Sequence, residues 1–185
     1  MNYSCPVETT HWPDALHEIL RWDSPPDLGP QKRDPHLAHS LTSIPPSDLH
    51  PIQPQGAKKA CWSALLLWVD ELEPSHEVSQ AMPGREGSYW HGIMHRREPD
   101  YSNAKYWFRK VGSHPIHADL AQWVRASITC EEVTDRLDLK NWSPDRFVDL
   151  CEDYAASQGE VQDALKAIAA AEWYLLFNYC LLLED

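Results

Sequence analysis

The sequence predicts an all-α protein, folded as a single-domain helical bundle, and three observations support this prediction. Apolar residues recur at helical spacing in several segments, whereas no segment shows the sustained alternation typical of a β-strand. The chain has 185 residues, which is enough for one full-sized core and favours one domain over two. Hydrophobic residues make up 43% of the chain, so most of it is expected to fold.

The first part of the chain, residues 1–57, is predicted to be a Pro-rich arm that wraps a helical domain, residues 58–185. Ten of the fifteen Pro residues lie in this arm, and Pro lacks a backbone donor that regular structure needs. Residues 24–56 are therefore predicted to be irregular. A short helix is expected before them, at residues 12–22, with Pro13 in its first turn. Apolar residues within the arm favour an ordered strap over the alternative, a flexible linker.

The helical domain begins with a predicted helical hairpin. Four apolar residues recur at intervals of four, three and four positions, namely Cys61, Leu65, Trp68 and Leu72. Pro74 is expected to kink this helix or to start a second one. A turn at residues 83–87 then leads into a helix that carries His91 and runs antiparallel to the one before it.

Four further helices are predicted, mainly from their end signals. Pro99 ends the preceding helix, and Asp100 or Ser102 caps the next one, which stops before Gly112. Later helices are expected at residues 117–127, 143–157 and 160–183. The last of these is rich in Ala and Leu with apolar residues on most sides, so it is expected to be the central core helix.

The last predicted helix contains two polar residues, Glu172 and Asn178, within its apolar run. They favour a buried helix over a membrane span. A carboxylate inside a core must be paired, bind a cation or be neutral. The expected partner of Glu172 is an arginine: Arg96, Arg97 or Arg109. Homodimerisation through this apolar helix is a further expectation.

The net charge of −12 argues against two classes of partner. A general nucleic-acid binder needs a basic surface that releases phosphate counterions, and an anionic membrane repels an acidic surface. Five widely spaced Cys residues without a CxxC pair indicate reduced thiols, and the first residues lack the apolar run of a secretory signal. We therefore expect a soluble, cytoplasmic protein that binds neither nucleic acid nor membrane.

The segment from Tyr89 to Glu98 contains the strongest candidate site. On a helix, His91, His95 and Glu98 lie in one row, because residues four and three apart share a face. His76, on the other arm of the hairpin, is expected to converge on them. We predict that His76, His91 and His95 bind zinc, iron or nickel, and that His91, His95 and Glu98 are catalytic. The alternative is a set of histidines that pack in a polar core without a metal.

A second candidate feature lies in residues 96–110, which hold five of the sixteen basic residues among several aromatic ones. Guanidinium groups beside aromatic rings suit a phosphate, a carboxylate or a flat anion. The residues predicted to bind a small anionic substrate are Arg96, Arg97, Arg109, Trp90 and Asn103. The alternative is that these arginines pair with carboxylates of the chain itself.

Two segments of residues 66–115 are SHEVSQ, residues 75–80, and SYWHGIMHRREPDYSNAKYWFRKVG, residues 88–112. With these segments, residues 66–115 resemble a family of uncharacterised bacterial and fungal proteins. No activity is established for that family, so the resemblance implies a shared site without a reaction, a cofactor or a substrate. It covers about fifty residues, which include the histidines and arginines singled out above on chemical grounds.

These features favour a small-molecule enzyme with a His-lined pocket that uses a metal to hydrolyse or hydrate an anionic substrate. It would then be a metal-dependent hydrolase or lyase. Without a metal, His91 or His95 is expected to act as general base. The alternative is a non-catalytic ligand-binding or protein-interaction module with a buried His and Arg core. The sequence has no Gly-x-Ser-x-Gly elbow and no Gly-rich phosphate loop to indicate another reaction.

Overall fold

Nine α-helices and no β-strand occur in the part of the chain that the computed structural model describes, residues 3–30, 34–52 and 58–183. The predicted all-α single domain is thus confirmed. A 3-10 helix, Asp14–Leu16, precedes the α-helices. In chain order the α-helices are α1 Pro35–Ser43, α2 Lys59–Trp68, α3 Leu72–Gln80, α4 Arg85–Arg97, α5 Tyr101–Val111, α6 Ile116–Ser127, α7 Glu131–Thr134, α8 Pro144–Asp153 and α9 Glu160–Leu182.

Helix α9 lies at the centre of the fold, as its apolar composition predicts. It is buried on most sides and packs against α2, α6 and α7. Trp173 stacks on Phe177 with ring centroids 4.9 Å apart, and Trp68 of α2 packs on Trp173 at 4.7 Å. Among the described helices, α9 alone is long and apolar enough to cross a membrane, but most of its apolar stretch is buried within the protein. Its burial is compatible with the core helix of a soluble protein.

The prediction of a helix at residues 12–22 is wrong, because only the three-residue 3-10 helix forms there. The carbonyl oxygen of Ile19 accepts a hydrogen bond from Trp68 Nε1 at 2.9 Å. That of Leu20 accepts one from the Tyr174 hydroxyl at 2.8 Å. These carbonyls therefore bond to side chains of the helical domain instead of continuing a helix, and tertiary contacts override the local pattern.

The segment predicted to be irregular contains α1, which corrects that prediction. Asp34 and Pro35 explain the helix: the Asp34 carboxylate accepts from the backbone of the first turn at 2.9 Å, and Pro35 occupies the first helical position. Leu41, Leu49 and Ile52 are buried in the common core. The described parts of the arm thus pack against the helical domain, and its remaining residues, 1–2, 31–33 and 53–57, lie outside the described residues.

The helix ends in the helical domain follow their sequence signals with few differences. The Asp100 carboxylate accepts from Asn103 N at 3.2 Å and caps α5, and Gly112 ends that helix with φ of 65°. Helices α2 and α3 are separate, which is one of the two outcomes expected near Pro74. Helix α8 ends before the predicted residue 157, because Tyr154 leaves helical geometry at φ of −111°. The short α7 has no counterpart in the prediction.

Candidate metal centre

Three histidine side chains meet between α3 and α4. His76 lies on α3, and His91 and His95 lie one turn apart on α4. The ring centroid of His76 is 4.6 Å from that of His91 and 5.3 Å from that of His95, and the last two are 4.7 Å apart. One nitrogen of each ring lies within 4.8 Å of the others. Ligand nitrogens around tetrahedral zinc are about 3.4 Å apart, so the three rings would have to move closer together to share such an ion.

Two glycines allow the helices around the histidines to approach closely. A Cβ atom on Gly87 would lie 2.6 Å from the Met82 carbonyl oxygen, in the turn that joins α3 to α4. A Cβ atom on Gly92 would lie 3.0 Å from the Phe108 ring, where α5 packs on α4. A larger residue at Gly87 would displace the turn, and one at Gly92 would displace the Phe108 ring. The two glycines therefore allow the turn after α3, and α5, to lie close to the helix that carries His91.

The His91 ring is held with one nitrogen available to a ligand. Ser79 Oγ donates its hydrogen to the His76 carbonyl oxygen at 3.1 Å, so it accepts from His91 Nδ1–H, also at 3.1 Å. This arrangement favours the tautomer that carries its proton on Nδ1 and leaves the Nε2 lone pair for a ligand. Burial, with help from His95, His76 and Lys110, lowers the pKa of His91 to about 3. The imidazole is neutral at neutral pH, as metal binding requires.

His95 differs from His91 because both of its nitrogens are engaged. Nε2 lies 3.0 Å from Asn103 Nδ2, and Nδ1 lies 3.3 Å from Glu98 Oε2. Asp100 Oδ2 is 4.0 Å from the same Nδ1. Burial lowers the pKa of His95, while Glu98 and Asp100 act in the opposite direction. A metal that binds His95 must therefore displace one of these contacts.

The arginines predicted to bind substrate lie away from the histidines. Arg96 Nη2 donates to Glu172 Oε2 at 2.6 Å, and the Tyr89 hydroxyl donates to the other oxygen of this carboxylate at 3.1 Å. Arg97 Nη2 donates to Asp70 Oδ1 at 2.7 Å. Both arginines are buried. They form internal ion pairs, which is the alternative that the sequence left open, and the expected pairing of Glu172 with an arginine is confirmed.

Of the remaining residues predicted to bind substrate, Asn103 lies at the histidines and the other two do not. Trp90 is fully buried and packs on Trp173, with ring centroids 5.9 Å apart. Arg109 is exposed and donates through Nε to Asp145 Oδ2 at 3.1 Å, which links α5 to α8. The structure thus assembles His76, His91, His95, Glu98 and Asn103, and it leaves out Trp90 and the three arginines.

Three residues at the centre escaped the sequence-based prediction: Ser79, Trp107 and Lys110. The Trp107 ring centroid lies 4.0 Å from that of His91, and Lys110 Nζ lies 4.1 Å from the Trp107 ring centroid. A signal for two of them was present, because Asn103, Trp107 and Lys110 are spaced four and three apart and share one face of α5. Ser79 likewise follows His76 by three positions on α3.

Comparison of the chain with protein-family models, with curated proteins and with solved structures gives no match. The resemblance of residues 66–115 to a family therefore stays a prediction. Any function must be argued from the side chains of this chain, and in the described residues the histidine cluster is the group whose ligand atoms lie close enough together to hold a metal ion.

Proposed function

We propose that His76, His91 and His95 bind one divalent transition metal ion, zinc, iron or nickel, in an enzyme that hydrolyses or hydrates a small anionic substrate. The observation that carries this proposal is the approach of three histidine nitrogens, from two helices, to within 4.8 Å. The tautomer of His91 supports it as well, since Ser79 directs the free lone pair away from itself. A histidine that served only to fill a core would not need this arrangement.

Binding requires one rearrangement at His95. A metal on Nδ1 would replace the contact with Glu98, the longer of the two close contacts that this ring makes. The ring proton would then lie on Nε2, and the Asn103 amide would turn over to accept it through Oδ1. Glu98 would remain beside the metal, in position to be the fourth ligand or to accept a proton.

The residues around the three histidines suit a reaction that uses water. A divalent metal lowers the pKa of a water molecule bound to it to about 7, which makes hydroxide available at neutral pH. Glu98 is exposed beside His95 and would be placed to take the proton that such a water molecule loses. Lys110, held over Trp107 next to His91, offers a positive charge to an anionic substrate. In this proposal Lys110 replaces the arginines, whose charges are matched elsewhere.

The metal content of the untagged, full-length protein tests the ligand set. Plasma mass spectrometry is expected to find close to one transition metal ion per chain, and His91→Ala and His95→Ala are expected to lose it while they keep their helical circular dichroism. His17→Ala is the matched control, because His17 is exposed on the N-terminal region and should leave the metal content unchanged. A folded wild-type protein that stays metal-free after incubation with zinc would refute the metal site.

The reaction is tested separately with Glu98→Gln, which keeps the shape of the side chain and removes its charge. With 4-nitrophenyl phosphate and 4-nitrophenyl acetate as probes, the variant should keep its metal and lose about 100-fold or more in kcat, the usual effect of losing a general base. If metal-loaded wild type hydrolyses neither probe nor any other ester in a broad panel, the protein binds a metal but lacks the proposed activity.

A non-catalytic binding module is the second candidate, and the buried pairs Arg96–Glu172 and Arg97–Asp70 favour it. They supply the polar Arg core that such a module was expected to have. Metal-free but folded protein in the first experiment would favour this candidate. For either function we propose a cytoplasmic location, in keeping with the acidic net charge of −12 and the predicted reduced thiols.

A further inference from the structure

A second polar site lies on the other side of α4, away from the histidine cluster. A groove of about 720 Å³ runs between the start of α6 and the loop that leads into α8. None of His76, His91 and His95 lines it. Its wall instead holds a second pair of histidines, His114 and His117, whose rings pack against Tyr89 at 5.2 Å and 5.7 Å.

The groove is basic, although the protein as a whole is strongly acidic. Arg125 and Lys140 line it, and among the described residues that line it none is acidic. The chain has 28 acidic and 16 basic residues, so a groove that gathers two cations without a carboxylate departs from the average surface. Charges of one sign along a concave surface raise the local concentration of ions of the opposite sign. The groove therefore attracts anions.

Hydrogen bonds hold the loop that carries Lys140 in place. The Asp138 carboxylate accepts from the backbone N–H groups of Lys140 and Asn141, both at 3.1 Å. Arg125 Nη1 donates to the Leu139 carbonyl oxygen and ties the same loop to α6. The Asp138 carboxylate is thus occupied with backbone donors, and the loop that carries Lys140 is tied to α6 before a ligand arrives.

Three residues in the wall have polar nitrogens without a partner. These are His114 Nε2, His117 Nε2 and Trp142 Nε1, all buried from solvent in the described structure. The backbone N–H of Ile116 donates to His114 Nδ1 at 3.4 Å, which places the ring proton on Nε2. Glu86 Oε1 is 3.8 Å from that Nε2, too far for a good hydrogen bond. Because water cannot reach these nitrogens, a ligand in the groove cannot reach them either, and the three residues line the groove only through their other atoms.

We propose that this groove binds the oxyanion group of a small molecule, a phosphate or a carboxylate, between the side chains of Arg125 and Lys140. Side-chain hydroxyl and amide groups of Ser143 and Asn141 line the same groove and offer further donors. The site is independent of the proposed metal centre, because the two share no residue. The groove is therefore expected to bind an anion whether or not a metal binds at His91.

NMR spectra of the histidine rings in the full chain test this proposal. Sodium phosphate and sodium acetate are titrated separately at pH 7.5, with sodium chloride keeping the ionic strength constant. At least one of the two is expected to shift the His114 and His117 resonances saturably, and the more effective anion identifies the phosphate or carboxylate class. Because the signals come from α6 and the residues before it, an anion bound to a metal at His91 would not produce them.

Lys140→Gln supplies the variant and Arg146→Gln the control. Arg146 is exposed on α8 and does not line the groove, so each variant removes one positive charge from the same region. We expect Lys140→Gln to weaken the Kd about tenfold, the loss of one charge-assisted hydrogen bond, and Arg146→Gln to leave it within about twofold. The proposal is overturned if neither anion gives a saturable shift, or if the two variants weaken binding equally.

Discussion

Helix α4 carries two polar faces, and they differ in how their side chains are paired. On one face His91 and His95 meet His76, and burial lowers the pKa of both His91 and His95. On the other, Arg96 and Tyr89 meet Glu172, so a buried positive charge faces a buried negative one. The ion-paired face has its partners within the chain. The histidine face instead brings three ring nitrogens to within 4.8 Å of one another.

The two faces should also respond differently to substitution. A buried ion pair is costly to form, but once formed it makes each partner dependent on the other, because a single buried charge is far worse than the pair. Neutral imidazoles leave no such charge behind when one of them is removed. We therefore expect substitutions on the Arg96 face to change stability, and substitutions on the His91 face to change metal affinity.

The largest effect is expected for Arg96→Met. It leaves the Glu172 carboxylate without its cation at 0% exposure, and the free energy of unfolding in urea should fall by about 3–5 kcal/mol. The double variant Arg96→Met/Glu172→Met should regain most of this loss, since it removes both charges. Folded Arg96→Met protein should keep its metal. A loss of metal at unchanged stability would show that the ion-paired face belongs to the site.

Much of the difference between the two faces of α4 could be predicted from the sequence. The spacing of His91, His95 and Glu98 predicted one row on a helix, and the hairpin predicted that His76 would reach them. Glu172 within an apolar helix predicted an arginine partner. Periodicity and the rarity of buried charges are local signals, and the structure agrees with both.

What the sequence did not reveal depends on contacts between distant segments. A helix is predicted at residues 12–22, but backbone carbonyl groups of this segment accept hydrogen bonds from the side chains of Trp68 and Tyr174. No local sequence pattern indicates these contacts. Guanidinium groups among aromatic residues predict an anion site or internal ion pairs equally well, and the sequence does not show which carboxylates lie beside Arg96 and Arg97. On a helix, residues 95 and 96 point about 100° apart, so Arg96 faces α9 while His95 faces α3.

Ser79→Ala tests whether the hydrogen bond between Ser79 and His91 supports metal binding. In Ser79→Ala the His91 ring loses the group that fixes its tautomer, while the three ligand nitrogens remain. Zinc affinity, measured by competition with a chromogenic chelator, should fall about 10- to 100-fold, as is usual when the hydrogen-bond partner of a histidine ligand is removed. Ser43→Ala is the control, because Ser43 contacts the exposed His39 instead. Equal zinc affinity in Ser79→Ala and wild type would argue that His91 is not a ligand.

The smallest effect is expected for Arg109→Gln, which tests whether burial makes the Arg96 pair important. Arg109 also pairs with a carboxylate, Asp145, at 3.1 Å, but its side chain is 66% exposed. Water and salt screen such a pair, so the free energy of unfolding should change by less than about 1 kcal/mol, and less still in 0.5 M sodium chloride. If Arg109→Gln destabilised the protein as much as Arg96→Met, charge pairing itself, and not its burial, would account for the stability of this face.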